Sequence, residues 1–225
     1  MVESRSTSVS NPLKVSMVEY KESPWQIMKE DPIIFINLLI IMISFASTTF
    51  NNYLLGFNIR NFGGNLYYNS WAFGFSNFFG KLIATAVRVY LPTKISLMIM
   101  LTIIITFGFF LIFFENIALI AISIGMIELG IGGSFTLIYY INVEYFPLLF
   151  VSFAFAICQI GGRSSAIASY LLSDLKEPYP MVLLVSTGLV SMLVLFCLSK
   201  PNYKTNIQTS SEPTKYYKLD DDERS

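Results

Sequence analysis

The chain has 225 residues, of which 54% are hydrophobic, 16% aromatic and only 13% charged, with a formal net charge of zero. That balance excludes an ordinary soluble domain and marks a membrane protein. The basic residues do not cluster as a nucleic-acid surface needs, so nucleic acid is excluded as a partner. His is absent, and Cys158 and Cys197 each stand alone in an apolar run. No metal, catalytic-triad or disulfide pattern is left, so the expectation is no enzyme, no cofactor and two reduced packing cysteines.

In chain order, residues 1–32 come first, MVESRSTSVSNPLKVSMVEYKESPWQIMKEDP. They mix acids with bases around no apolar core, which fits neither a secretory signal nor a transit peptide and predicts a retained cytoplasmic segment. Residues 33–199 form the transmembrane domain. A hydrocarbon core of about 30 Å needs about 20 apolar residues as helix, because backbone groups in lipid must be paired internally. Six stretches qualify or come near: 33–55, 66–87, 95–114, 117–141, 148–172 and 178–198. Residues 200–225 are polar, end in KYYKLDDDERS and read as a disordered tail.

The short connections force successive helices to cross in opposite directions, and an even number of crossings puts both termini on one side. Eleven Lys and Arg residues fall on that side, including Arg88 and Lys94 in the second loop, against Arg60 and Lys176 opposite. Both termini are therefore expected in the cytoplasm. The fourth span carries Gly125, Gly130, Gly132 and Gly133, and the fifth carries Gly161, Gly162, Ser164, Ser165, Ala166 and Ala168. Small residues let helix backbones approach closely in lipid, so these two spans are expected to be neighbours or each to face a cavity.

Three charges remain inside the spans. Arg163 lies about 14 Å from the external end of its helix and Glu128 about 17 Å from the external end of its own, at 1.5 Å per residue. Each costs roughly 2.5–3.5 kcal/mol at a helix centre, so each must face protein, a partner or water. A Glu128–Arg163 ion pair is the simplest arrangement for both. Lys81, near the cytoplasmic end of the second span, either snorkels outward or lines a cavity. Asn37, Asn51, Asn52, Asn77 and Gln159 add polar groups, among aromatics that include Tyr53, Trp71, Phe135, Tyr139 and Tyr140. An aromatic cavity holding a few fixed charges suits an amphipathic organic ion.

Three segments, NFGGNLYYNSWAFGFSNFFGKL, GIGGSFTLIYYINVEYFP and FAICQIGGRSSAIASYLL, resemble the seventh-to-eighth, tenth and eleventh helices of organic-ion transporters of the major facilitator superfamily. The resemblance covers about residues 24–199. It implies an all-α membrane protein, a six-transmembrane-helix bundle like the C-terminal half of such a transporter. Lys81 and Arg163 fall on the cavity Lys and Arg of the organic-anion branch, and Tyr53 and Phe135 fall on cavity aromatics. The implied function is transport of a small organic ion, most simply an organic anion, with Lys81 and Arg163 binding charge and Tyr53 and Phe135 packing the apolar body. Glu128 is not carried over from the family; on the transport reading it is a gate or coupling acid, or else the ion-pair partner of Arg163. The implied partners are that substrate, the lipid bilayer and a second six-helix half, either another copy or a separate chain.

The sequence departs from the family pattern in several places. VYLPTK stands where a charged latch is usual between the eighth and ninth helices, Leu148 and Val151 follow Y-F-P where a Thr and an Arg are usual, Glu128 replaces a Lys, and Asn77 replaces an acid. One half alone cannot enclose a site between two halves. The alternative reading is a structural membrane subunit or a truncated product that keeps the half-transporter fold without transport.

Overall fold

The structure, a computed structural model, describes residues 32–62, 65–113, 116–176 and 178–199. The polar segments expected to flank the membrane domain on the cytoplasmic side lie outside these residues, apart from Pro32. Among the described residues six α-helices follow one another: α1 Pro32–Asn58, α2 Leu66–Tyr90, α3 Thr93–Phe113, α4 Ile117–Tyr145, α5 Leu148–Ser173 and α6 Tyr179–Phe196. The described residues contain no strand. Five of the helices, all but α2, are long and apolar enough to cross a bilayer, which marks an all-α, multi-pass membrane protein.

The breaks between helices have local causes. Leu91 and Phe146 each precede a proline and adopt extended backbone (φ −124°, ψ 149° and φ −121°, ψ 147°), as clash with the proline ring requires. Asn65 and Asn116 cap the starts of α2 and α4, their side chains accepting from the backbone N–H of Tyr67 and Ala118. α4 runs to Tyr145, past the expected end at residue 141. Its last turn, Asn142 to Tyr145, is too polar to count toward an apolar span, but nothing interrupts the helix before the Phe146–Pro147 step.

The contacts fix the direction of each helix. α1 and α6 are antiparallel: Asn37 bonds Ser199, and Ser47 and Asn51 both bond Thr187. α3 and α6 are antiparallel as well, with Gly108 against Leu184 and Val185, Gly188 against Ile105, and Lys94 at the far end of α6. α3 and α4 are also antiparallel, with Gly130 on Met100 and Ile104, and Thr93 donating to Glu144. By contrast α2 is parallel to α4, and α5 to α1.

Two contacts dominate the packing, α2 on α4 and α5 on α1; next come α3 on α4, α3 on α6 and α6 on α1. Replacing each of α1, α2 and α3 by the helix three further on exchanges these pairs among themselves. The two triplets run in opposite senses, so the bundle has the pairing pattern of an inverted repeat. α4 and α5 touch only slightly. Of the two expected arrangements, neighbouring helices or helices facing a cavity, direct contact between the glycine-rich helices is slight, and their glycines form two separate seams. The glycines of α4 admit α2 and α3, whereas Gly161 and Gly162 of α5 lie on Met42, Phe45 and Thr49 of α1.

The α2–α4 seam is the tightest. Ala72, Ser76, Gly80 and Ala84 recur every four residues and form one stripe of α2. A methyl group at Gly80 would overlap the Leu129 backbone carbonyl, and one at Gly132 would stand 2.6 Å from the Asn77 carbonyl oxygen. Away from that stripe, Tyr67, Tyr68, Trp71, Phe75, Phe78 and Phe79 are exposed.

Candidate functional site

A recess of about 180 Å³ opens between α1, α4 and α5. α1 contributes Phe45, Thr49, Asn52 and Tyr53, which recur at helical spacing and so share one side of the helix. α4 contributes Phe135 and Tyr139, one turn apart, and α5 contributes Gln159, Gly162 and Arg163. The slight contact between α4 and α5 leaves room for this space, because α1 is held to α5 by the glycine seam and to α4 by aromatic rings.

Those rings form a cluster around Phe45, which is 3% exposed. Its ring meets Phe135, Tyr139 and Phe155 edge-on, with centroids 5.6, 6.2 and 6.4 Å away. Tyr139 and Phe155 are themselves 5.0 Å apart. Edge-to-face packing of this kind holds the recess wall in place. Tyr53 stacks on Phe57, which meets Tyr170 of α5, so the aromatic lining continues toward the C-terminal ends of α1 and α5.

Arg163, Tyr53 and Phe135 are thus brought together at one recess, and Arg163 is exposed there with no carboxylate paired to it among the described residues. Glu128 is elsewhere. It is fully buried, and Asn77 of α2 donates from Nδ2 to its Oε1. Its Oε2 has no hydrogen-bond partner among the described residues. The expected Glu128–Arg163 ion pair is not formed: matching depth put the two residues at one level, but α4 turns Glu128 toward α2 while Arg163 stands on the far side of the recess on α5. Lys81 is exposed on α2, one turn beyond Asn77, and does not line the recess.

Phe45, Phe155 and Thr49 did not stand out in the sequence. Phe45 and Thr49 precede Asn52 and Tyr53 at helical spacing on α1, and that register was the available signal. No group of His, Cys, Asp or Glu among the described residues could hold a metal ion. Cys158 is buried, whereas Cys197 is exposed just past the end of α6 rather than packed.

At the end of the bundle where α2 and α4 finish and α3 begins, the helices are tied by polar contacts. Lys94 Nζ donates to the carbonyls of Phe196 and Leu198 at 3.1 and 2.8 Å, and Thr93 Oγ1 donates to Glu144 Oε2 at 2.7 Å. The Arg88 guanidinium lies 3.8 Å from the centroid of the Tyr140 ring. These contacts join α2, α3, α4 and α6 at the end that holds the VYLPTK sequence.

In comparison with known proteins, no family model matches the chain, and no curated protein matches it.

Proposed function

We propose that the chain is one half of an alternating-access transporter for a small organic anion, completed by a second six-helix half. The observation that carries this reading is the Arg163 guanidinium, without a carboxylate partner among the described residues, at a recess walled by aromatic rings and opening between α1, α4 and α5. An anionic group meets Arg163, the one positive charge among the residues lining the recess, while Tyr53 and Phe135 offer ring surface to its apolar body. The attraction strengthens where water is excluded.

Three features support the larger architecture. The inverted pairing of the two helix triplets is the arrangement found within each half of facilitator transporters. α2 is about 37 Å long at 1.5 Å per residue and runs parallel to α4 at the same level, which supports a sixth crossing despite its polar residues. Its polarity suits a helix facing a partner or a water-filled space in place of lipid. Lys81 on α2 and Arg163 on α5 are both exposed within the span region, and a second half laid across α2 and α5 would remove both charges from lipid. Lys81 then adds a second positive charge to the shared space.

The test is uptake of radiolabelled aromatic carboxylates by membranes containing the full chain with its native partners, with insertion measured alongside. Arg163→Ala should reduce uptake to background at unchanged insertion, and Arg163→Lys should keep part of it. Uptake that survives Arg163→Ala sinks the assigned role. An assembled complex that takes up no carboxylate leaves the structural-subunit reading in its place.

A further inference from the structure

We infer that Glu128 is a membrane-embedded proton-binding site that sets how closely α2 lies on α4. This goes beyond the anion recess and rests only on the packing of those two helices. A carboxyl group with 0% exposure, one oxygen bonded to Asn77 and the other without a partner, is an incomplete arrangement for a bare charge.

Among the described residues no neighbouring element completes it with an ion pair. On α2 the one nearby charge is Lys81, exposed and one turn past Asn77. α3 carries only Lys94, whose ammonium is bound to the carbonyls of Phe196 and Leu198. α1 has no charged side chain, and its single titratable group, Tyr53, is at the recess. α5 brings Arg163, also at the recess, and buried Cys158. On α4 itself Tyr139, Tyr140, Glu144 and Tyr145 lie three turns or more further along.

A proton completes the group with the least rearrangement. Taken from the aqueous phase onto Oε2, it leaves a neutral acid while the Asn77 amide still donates to Oε1. A hard metal cation would want six or more oxygens, which Glu128 and Asn77 do not supply. The seam around the acid has no slack, since neither Gly80 nor Gly132 has room for a methyl group. Loss of the proton therefore requires α2 to shift, so that water or the Lys81 ammonium reaches the carboxylate. The protonated state is the closed seam and the ionised state is the parted one; the proton returns to water, and no electron or other group moves.

The experiment uses the full chain in lipid nanodiscs. Infrared spectra at neutral pH should show a carboxylic-acid C=O band that is missing in Glu128→Gln and shifted in Asn77→Ala, which frees the acid of its donor. Spin labels at Tyr90→Cys and Val143→Cys, both exposed in the native chain, with Cys158→Ala and Cys197→Ser, report the α2–α4 separation. Raising the pH should remove the band and lengthen the separation in the Glu128 protein, and Glu128→Gln should lose the whole pH-dependent component. A band unchanged by Glu128→Gln or by Asn77→Ala, no band at neutral pH, or a separation responding equally to pH in both proteins overturns the inference. None of these readouts requires transport, so failure of anion uptake and failure of the proton site are told apart.

Discussion

Gly80 shows how much one hydrogen atom in place of a methyl group decides in this bundle. Its backbone lies directly on that of Leu129, whereas a methyl group at Gly74, on the same helix, would have no neighbour within 4 Å. Gly80→Ala is expected to destabilise the bundle by about 1–3 kcal/mol through overpacking, and Gly74→Ala to be neutral or slightly stabilising, since Ala is the better helix former. Thermal unfolding in the same detergent compares the two directly; equal shifts would mean that the seam is not limited by backbone contact. Thr187 makes a second, polar kind of contact. Its hydroxyl donates to Asn51 Oδ1 at 2.7 Å, and its carbonyl accepts from Ser47. Thr187→Val should cost about 0.6 kcal/mol and no more than about 1.7, the range for interhelical bonds in membranes.

At the scale of elements, helix ends and helix faces obey different rules. The ends follow from prolines and asparagines in the sequence, and their positions differ from expectation by a few residues: polar residues continue α4 past its expected end, whereas α6 stops at Phe196, short of the expected residue 198. Among the faces, that of α2 is the informative one. Its small-residue stripe meets α4, and its wide aromatic side is left exposed. Lys94 acts on a different element from its own, capping the carbonyl end of α6 with a positive charge. Lys94→Ala is expected to cost about 0.3–1 kcal/mol from the lost charge at a helix C-terminus and to speed hydrogen exchange in the last turn of α6. Exchange that leaves that turn unchanged would assign the Lys94 contact no stabilising role.

For the whole molecule, the question is what lies against α2 and α5. Each is held mainly by one seam, and each carries an exposed charge within the span region. Gentle solubilisation and cross-linking in the native membrane, followed by mass measurement, should give a dimer or a pair with another six-helix protein. A monomer, or a fixed place in a large assembly without uptake, would remove the completing half on which the transport reading depends.

Composition and hydropathy alone determined that the chain is helical and membrane-embedded, because a backbone in lipid must pair its polar groups within itself. Proline and asparagine positions determined where helices start and stop. Arg163, Tyr53 and Phe135 were legible as candidates because charged and aromatic residues within spans are conspicuous. Their common recess was not, because it depends on which helices touch. Helix choice in lipid rests on close backbone approach and not on an apolar stripe, so the glycines of α4 and α5 showed that seams exist without showing which helices fill them. Only the tertiary structure sent Glu128 to Asn77, left Arg163 without a carboxylate among the described residues and separated Lys81 from the recess, since depth along a helix is written in residue number, whereas the direction a side chain faces is decided by the neighbour it packs against.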